Sequence, residues 1–309
     1  MKRGAVVLVA LAVLSVAAPA RAYLRTTAGT GGPCLFWSTR GHSFMIDAQG
    51  TPDVPAATAF DAIRRSFQTW AGVSCSDLTF PELGISQDAA DRKVGYVQNG
   101  NNRNLVLWRT ANCRAAAPPG DACLTSGGCG NKYDCWDHDD KVIAVTTTTF
   151  NRTTGQIYDA DIELNSSPHS DGSRFIFTAN NGPACVTPPQ TGCVRYDIQN
   201  TVTHEAGHSI GLDHPPDHQE ATMWAFAPEG EISKRVLAQD DINAICDIYP
   251  KGKPTSTCLG DPITMVKTGS GEAGGCGCSS GGSPLEVILA ALGLYALRRR
   301  ARTSGPAGS

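Results

Sequence analysis

The 309-residue chain is short of charge. Only 18% of its residues are Asp, Glu, Lys or Arg, against roughly 25% in an average soluble domain. It lacks a basic excess as well, with a formal net charge of −3, so nothing in its electrostatics points to a nucleic-acid partner. No apolar run reaches the roughly 20 residues of a comfortable membrane span. No internal repeat is present, which excludes stacked-repeat architectures. What is present is an apolar share of 41%, enough to bury a core and to exclude wholesale disorder. The charge is also unevenly placed. Lys2, Arg3 and Arg21 sit at the front and Arg298, Arg299, Arg300 and Arg302 at the back, while residues 23–284 hold 19 basic against 28 acidic residues, a balance of −9.

The two ends read as addresses rather than as fold. Residues 1–22 combine a basic start, an apolar run over 5–18 and Ala20-Arg21-Ala22, the pattern of a secretory signal peptide. Cleavage after Ala22 leaves Tyr23 first, and the chain is expected to be exported. Residues 251–284 are rich in Gly, Ser, Thr and Pro, a flexible linker by composition. Residues 285–309 read as a short apolar helix followed by an Arg-rich tail. Gly275-Cys276-Gly277-Cys278, that helix and the arginines together resemble the C-terminal sorting tags of myxobacterial surface proteins. The resemblance implies sorting machinery and a membrane as partners, with Cys276 or Cys278 modified; a plain weak anchor is the alternative. Residues 23–250 remain as one domain.

Ten cysteines lie between Cys34 and Cys258. An even number in an exported chain points to disulfides, and a zinc knuckle lacks the paired C-x2-C motifs it needs. Cys185 and Cys193 would close a short loop; Cys113, Cys123, Cys129 and Cys135 would order a Gly/Pro-rich stretch.

The decisive segment runs Thr203-His204-Glu205-Ala206-Gly207-His208-Ser209-Ile210-Gly211-Leu212-Asp213-His214. On a helix, His204 and His208 project from one face and reach one ion. Glu205 faces the same ion's water without displacing a ligand. Gly211 permits the left-handed turn that ends the helix and brings His214 back as a third ligand. Three neutral imidazoles with an open fourth position describe a catalytic zinc site, because a structural site would be closed. Tyr196, Ile198, Val202 and Ile210 supply apolar positions to bury the helix.

This motif, H-E-x-x-H-x-x-G-x-x-H, resembles that of the metzincin clan and, within it, the matrixin family of zinc peptidases. The resemblance implies an α+β metzincin (zincin-like) fold: a twisted mixed β-sheet with an active-site helix and a C-terminal helix. Ala221-Thr222-Met223-Trp224 looks like the family's Met-turn, with Met223 beneath the zinc. Residues 237–249 look like the C-terminal helix, and residues 62–80 like the first helix followed by the second strand. Phe60, Ile63, Phe67 and Trp70 form one helical stripe over 56–70. Residues 105–109, 142–150 and 156–164 read as strands, and 142–150 would be the edge strand that pairs with peptide substrate. The sequence departs from the family twice. Cys34 lacks the propeptide switch motif and reads as disulfide-bonded, so latency has no explanation at this level. His138 and Asp140 give a fragment of a structural zinc site, but the later histidines are missing; Asp161 lies about where one would be, and no second zinc is assigned. Asp134, Asp137, Asp139 and Asp140 carry the hard carboxylates that suit Ca2+, although a solvated acidic loop explains them as well.

The resemblance implies an extracellular or cell-surface zinc endopeptidase acting on protein or peptide substrates. In it Glu205 is the general base toward zinc-activated water, and Asp213 is a candidate for orienting the third ligand. The chain is expected to be monomeric. The alternative from another class is a surface adhesin or binding module on a metzincin scaffold with catalysis lost.

Overall fold

The computed structural model describes residues 23–258, apart from 101 and 188, and the backbone of residues 275–276. The expected signal peptide, Cys278 and the Arg-rich tail lie outside the described residues. A two-residue strand, β1 (Leu24–Arg25), starts the described chain. The main sheet combines β2 (Phe44–Asp47), β3 (Glu82–Ser86), β4 (Leu105–Arg109), β5 (Ala144–Phe150) and β6 (Ile157–Asn165) in the order β5-β6-β4-β2-β3. All pairs are parallel except β5, which runs antiparallel to β6 from Ala144 opposite Leu164 to Phe150 opposite Ile157. Farther on are β7 (Phe177–Thr178), β8 (Tyr196–Asp197) and β9 (Leu212–Asp213), with β9 pairing β1. A last two-residue strand, β10 (Gly275–Cys276), borders β5 on the side away from β6.

Period-two alternation decides what each sheet face holds. Val106, Trp108, Ile162 and Leu164 join the main core beneath helix α1 (Ala56–Ala71). In α1 the stripe Phe60, Ile63, Phe67 and Trp70 is buried, and Trp70 Nε1 donates to Thr203 O at 2.8 Å. The opposite face carries Arg109 from β4 and Asp159, Asp161 and Glu163 from β6. It does not face water: Arg92, Gly95, Asn131, Asp134 and His138, from the segments that flank β4, lie against it. Arg109 is fully buried and donates to Glu163 (2.5 Å) and Asp134 (2.7 Å). Arg92 joins Asp47 to Asp134 and donates to Trp108 O. Asp161 accepts the N–H groups of Gly95 and Leu105 at 2.6 and 2.8 Å. Burial pushes the Asp159 and Asp161 carboxyls up, and mutual repulsion raises Asp161 further, so the pair favours keeping a proton.

The covering segment is built from three single-turn helices, α2 (Cys113–Ala116), α3 (Cys123–Ser126) and α4 (Gly130–Tyr133), cross-linked by Cys113–Cys135 and Cys123–Cys129. Cys185–Cys193 closes its short loop. Cys34–Cys258 and Cys75–Cys246 span 224 and 171 residues and tie the two ends of the domain together. All ten of these cysteines are therefore paired, as an oxidising compartment permits.

Two elements differ from expectation. Residues 72–80 do not extend α1 into a strand; Ser76 and Thr79 make only single bridges. The ladder begins beyond Pro81, which has no N–H to donate, and forms β3. Residues 251–258 are not free linker. Lys251 N donates to Cys75 O, Ser256 N to Ile248 O, and Cys258 is bonded to Cys34.

Candidate metal centre

Helix α5 (Ile198–Ser209) positions the first two histidines. It starts where Asp197 accepts from Asn200 N at 2.8 Å, an N-cap that satisfies one of the open donors of a helix start. Arg235 grips the same carboxylate. Helix α6 (Gln239–Ile248) packs nearby, and its Asp241 is buried. Gly211 has φ +93°, and a Cβ there would collide with Leu35 O. The residue must be glycine both for its left-handed conformation and for that close approach. The turn leads into β9, which is held by β1, and His214 follows immediately.

The three Nε2 atoms stand 3.1, 3.1 and 3.0 Å apart. Tetrahedral zinc, with Zn–N of about 2.0–2.1 Å, requires ligand nitrogens about 3.3 Å apart, so this donor set fits one zinc ion. His204 Nδ1 lies 2.7 Å from Thr222 O, and His208 Nδ1 lies 2.9 Å from Leu212 O. A carbonyl only accepts, so each Nδ1 carries the proton and each Nε2 presents its lone pair. Burial pushes all three imidazole pKa values down, His208 to about 4 and His214 to about 3. Desolvation thus keeps neutral the form that binds metal.

Glu205 is fully buried one residue beyond His204. Thr146, on β5, donates its hydroxyl to Glu205 Oε2 at 2.7 Å and lies 3.0 Å from Glu205 O. Met223 is buried below α5. A side chain at Gly207 would drive into its sulfur, so that glycine lets Met223 press against the helix. Asp241 fixes the turn by accepting from Thr222 N at 2.8 Å and Met223 N at 3.2 Å. Lys234, also buried, donates to Trp224 O and Phe226 O. Asp213 accepts from the backbone N–H of His214 at 2.8 Å, which fixes the chain at the third histidine.

The structure therefore brings His204, Glu205, His208, His214, Met223 and Asp213 into one place. It does not gather the acidic loop. Asp134 pairs with Arg92 and Arg109, Asp137 accepts backbone N–H groups of Gly128 and Cys129, Asp139 accepts from Lys141 N, and Asp140 accepts from Asn112 and Ser170. These carboxylates serve separate partners, and the structure supplies no converging calcium site there. His138 sits 3.6 Å from Glu163. Among the described residues the histidine triad is the one group of three donors that could hold an ion.

Sequence reasoning passed over Thr146, Asp241 and Lys234. Thr146 had a readable signal, since at strand period the run Thr146–Thr149 presents its first and third hydroxyls to one face. Asp241 and Lys234 had none, because their roles depend on a loop folding back.

The matrixin family model matches residues 36–250, from just after Cys34 to two residues beyond α6. That is more than half of the chain, and it includes every residue of the triad. The chain belongs to the matrixin family. Matrixins are zinc metalloendopeptidases, and the fold and donor set of this matrixin agree with that chemistry. It is 33% identical to matrix metalloproteinase-18 of Xenopus laevis over 122 residues, which cover 35% of this chain and 26% of that protein. It is 23% identical to interstitial collagenase of Equus caballus over 214 residues, 69% of this chain and 32% of that one. The matrixin thus aligns with no more than about a third of the length of either relative.

Proposed function

We propose that this matrixin is an exported zinc endopeptidase whose general base is Glu205. The carrying observation is the convergence of three Nε2 lone pairs with a buried glutamate that Thr146 holds from the neighbouring strand. His204, His208 and His214 would hold the ion, which supplies Lewis acidity toward the scissile carbonyl and the attacking water. Glu205 takes a proton from that water at its carboxylate and delivers it to the leaving nitrogen. Peptide backbone is recognised along the outer edge of β5 by strand addition. Asp213 and Met223 act as supports, one fixing the chain at His214 and the other packing under α5. Five disulfides support an oxidising destination. The Gly/Cys motif and Arg-rich tail, described only at the backbone of Gly275 and Cys276, support surface sorting through Cys276 or Cys278 by their sequence.

The test is cleavage of casein or gelatin by the mature chain. Activity is expected to vanish on chelation and to return with added zinc. A chain that binds zinc and cleaves nothing would instead be the binding module.

Thr146 makes a more specific prediction. Thr146→Val keeps the shape but removes the donor, and kcat is expected to fall roughly fivefold, the worth of a hydrogen bond of about 1 kcal/mol, with KM unchanged. Thr146→Ser should restore it. Equal loss in the valine and serine variants would show that the hydroxyl does not position Glu205.

A further inference from the structure

His138, Asp140 and Asp161 are the fragment of a structural zinc site in the sequence, and the folded chain uses them otherwise. His138 Nε2 lies 3.6 Å from Glu163. Asp140 accepts from Asn112 Nδ2 and Ser170 N, and Asp161 accepts from Gly95 N and Leu105 N. Each has its own partners, so these residues do not fit a structural zinc. What joins the sheet to the segments flanking β4 is Arg109. Its fully buried guanidinium donates to Glu163 Oε1 at 2.5 Å and Asp134 Oδ1 at 2.7 Å. It also donates to Arg92 O at 3.2 Å and Asn131 Oδ1 at 3.4 Å. We infer that Arg109 is the structural cation of this domain, and that the fold needs no divalent ion beyond the one its histidine triad would hold.

An ion and a guanidinium ask for different surroundings. Metal–ligand bonds of about 2.0–2.6 Å draw the ligand atoms to within about 5 Å of one another. Among the described residues only His204, His208 and His214 gather three donors so closely. Glu163, Asp134 and His138 do not. A planar fork of donors suits acceptors that stand farther apart and on several sides. Arg92 repeats the device, joining Asp47 on β2 to Asp134 and donating to Trp108 O. Cys113–Cys135 and Cys123–Cys129 brace the segment that carries Asn131 and Asp134. All of these links belong to the chain itself, so neither chelation nor dilution removes them. Dependence on divalent ions is thereby confined to the triad. This inference concerns what holds the fold and does not rest on the peptidase reading.

The experiment uses the full mature chain, stripped of metal and dialysed against zinc and calcium together. Bound metal and thermal unfolding are measured. At most one zinc and no calcium per chain are expected, and millimolar Ca2+ should leave the Tm of the zinc-treated chain unchanged. Arg109→Ala should lower Tm by roughly 10 °C, and neither Ca2+ nor a second equivalent of zinc should restore it. Arg109→Lys, a point charge in place of a fork, should recover less than half of the loss. Three results would overturn the inference: a second bound ion in the wild type, a rise in its Tm with Ca2+ at constant ionic strength, or recovery of the alanine variant by either ion. Full recovery in Arg109→Lys would overturn the part given to the guanidinium. If Arg109→Ala does not fold, the metal count and the calcium response of the wild type decide the matter.

Discussion

Glu205→Gln is expected to lower kcat/KM on a peptide substrate by roughly 10²–10⁴-fold, the usual contribution of a general acid–base group, while zinc content and thermal stability stay at wild-type levels. Glutamine has the same shape, and its amide oxygen can still accept from the Thr146 hydroxyl that holds Oε2 at 2.7 Å. It cannot take a proton from water. Folding should not suffer, because Glu205 is fully buried and a neutral amide is less costly to desolvate than a carboxylate. Metal content separates this from damage to the ligands, which the substitution does not touch. Retention of more than a tenth of wild-type kcat/KM, with zinc bound, would show that the base is another group.

The second large effect is on stability. Arg109→Ala is expected to destabilise the domain by about 3–5 kcal/mol, the range for breaking a buried ion pair from one side. The arginine is fully buried and serves both Glu163 and Asp134. Its removal leaves the Glu163 carboxylate inside the protein without its guanidinium. Burial alone pushes that carboxyl up, but His138 and Arg109 outweigh burial and hold it below its ordinary value of 4.5. A carboxyl depressed in the folded state contributes stability above the unfolded pKa and loses it as pH falls through the folded one. The gap between wild type and Arg109→Ala in urea unfolding should therefore be full at pH 7 and narrow below about pH 4.5. Replacing both partners, as Arg109→Met with Glu163→Leu, should recover much of the loss, because an apolar pair of similar size is often neutral. A loss below 1 kcal/mol in the single variant would mean that water reaches the network.

Much of the candidate site was legible because its parts lie close in sequence. A four-residue spacing on a helix, a glycine able to turn left-handed and a histidine three residues later follow from local geometry alone. The structure places their Nε2 atoms 3.0–3.1 Å apart. The α1 stripe and strand β4 were legible for the same reason, since helical and strand periods appear directly in the order of residues. The strand after α1 was not, because Ser76 and Thr79 look like strand residues until Pro81 interrupts the ladder. Nor was the partner of Glu205, which sits on β5, 59 residues away in sequence.

The polar face of β6 shows the limit most clearly. Asp159, Asp161 and Glu163 alternate with apolar residues, and alternation alone gives such carboxylates to solvent. They are instead almost completely buried, because the segments flanking β4 lie against them with two arginines and two disulfides. Sequence by itself determined the spacing that lets His204, His208 and His214 converge, the glutamate beside them and the low charge of a chain with few ionic groups to place. Tertiary structure alone decided which of those few charges would be buried in pairs, and that Thr146 would hold Glu205. Spacing in the chain sets only near neighbours; contacts across the sheet arise when apolar burial brings distant segments together and their polar groups must then find partners.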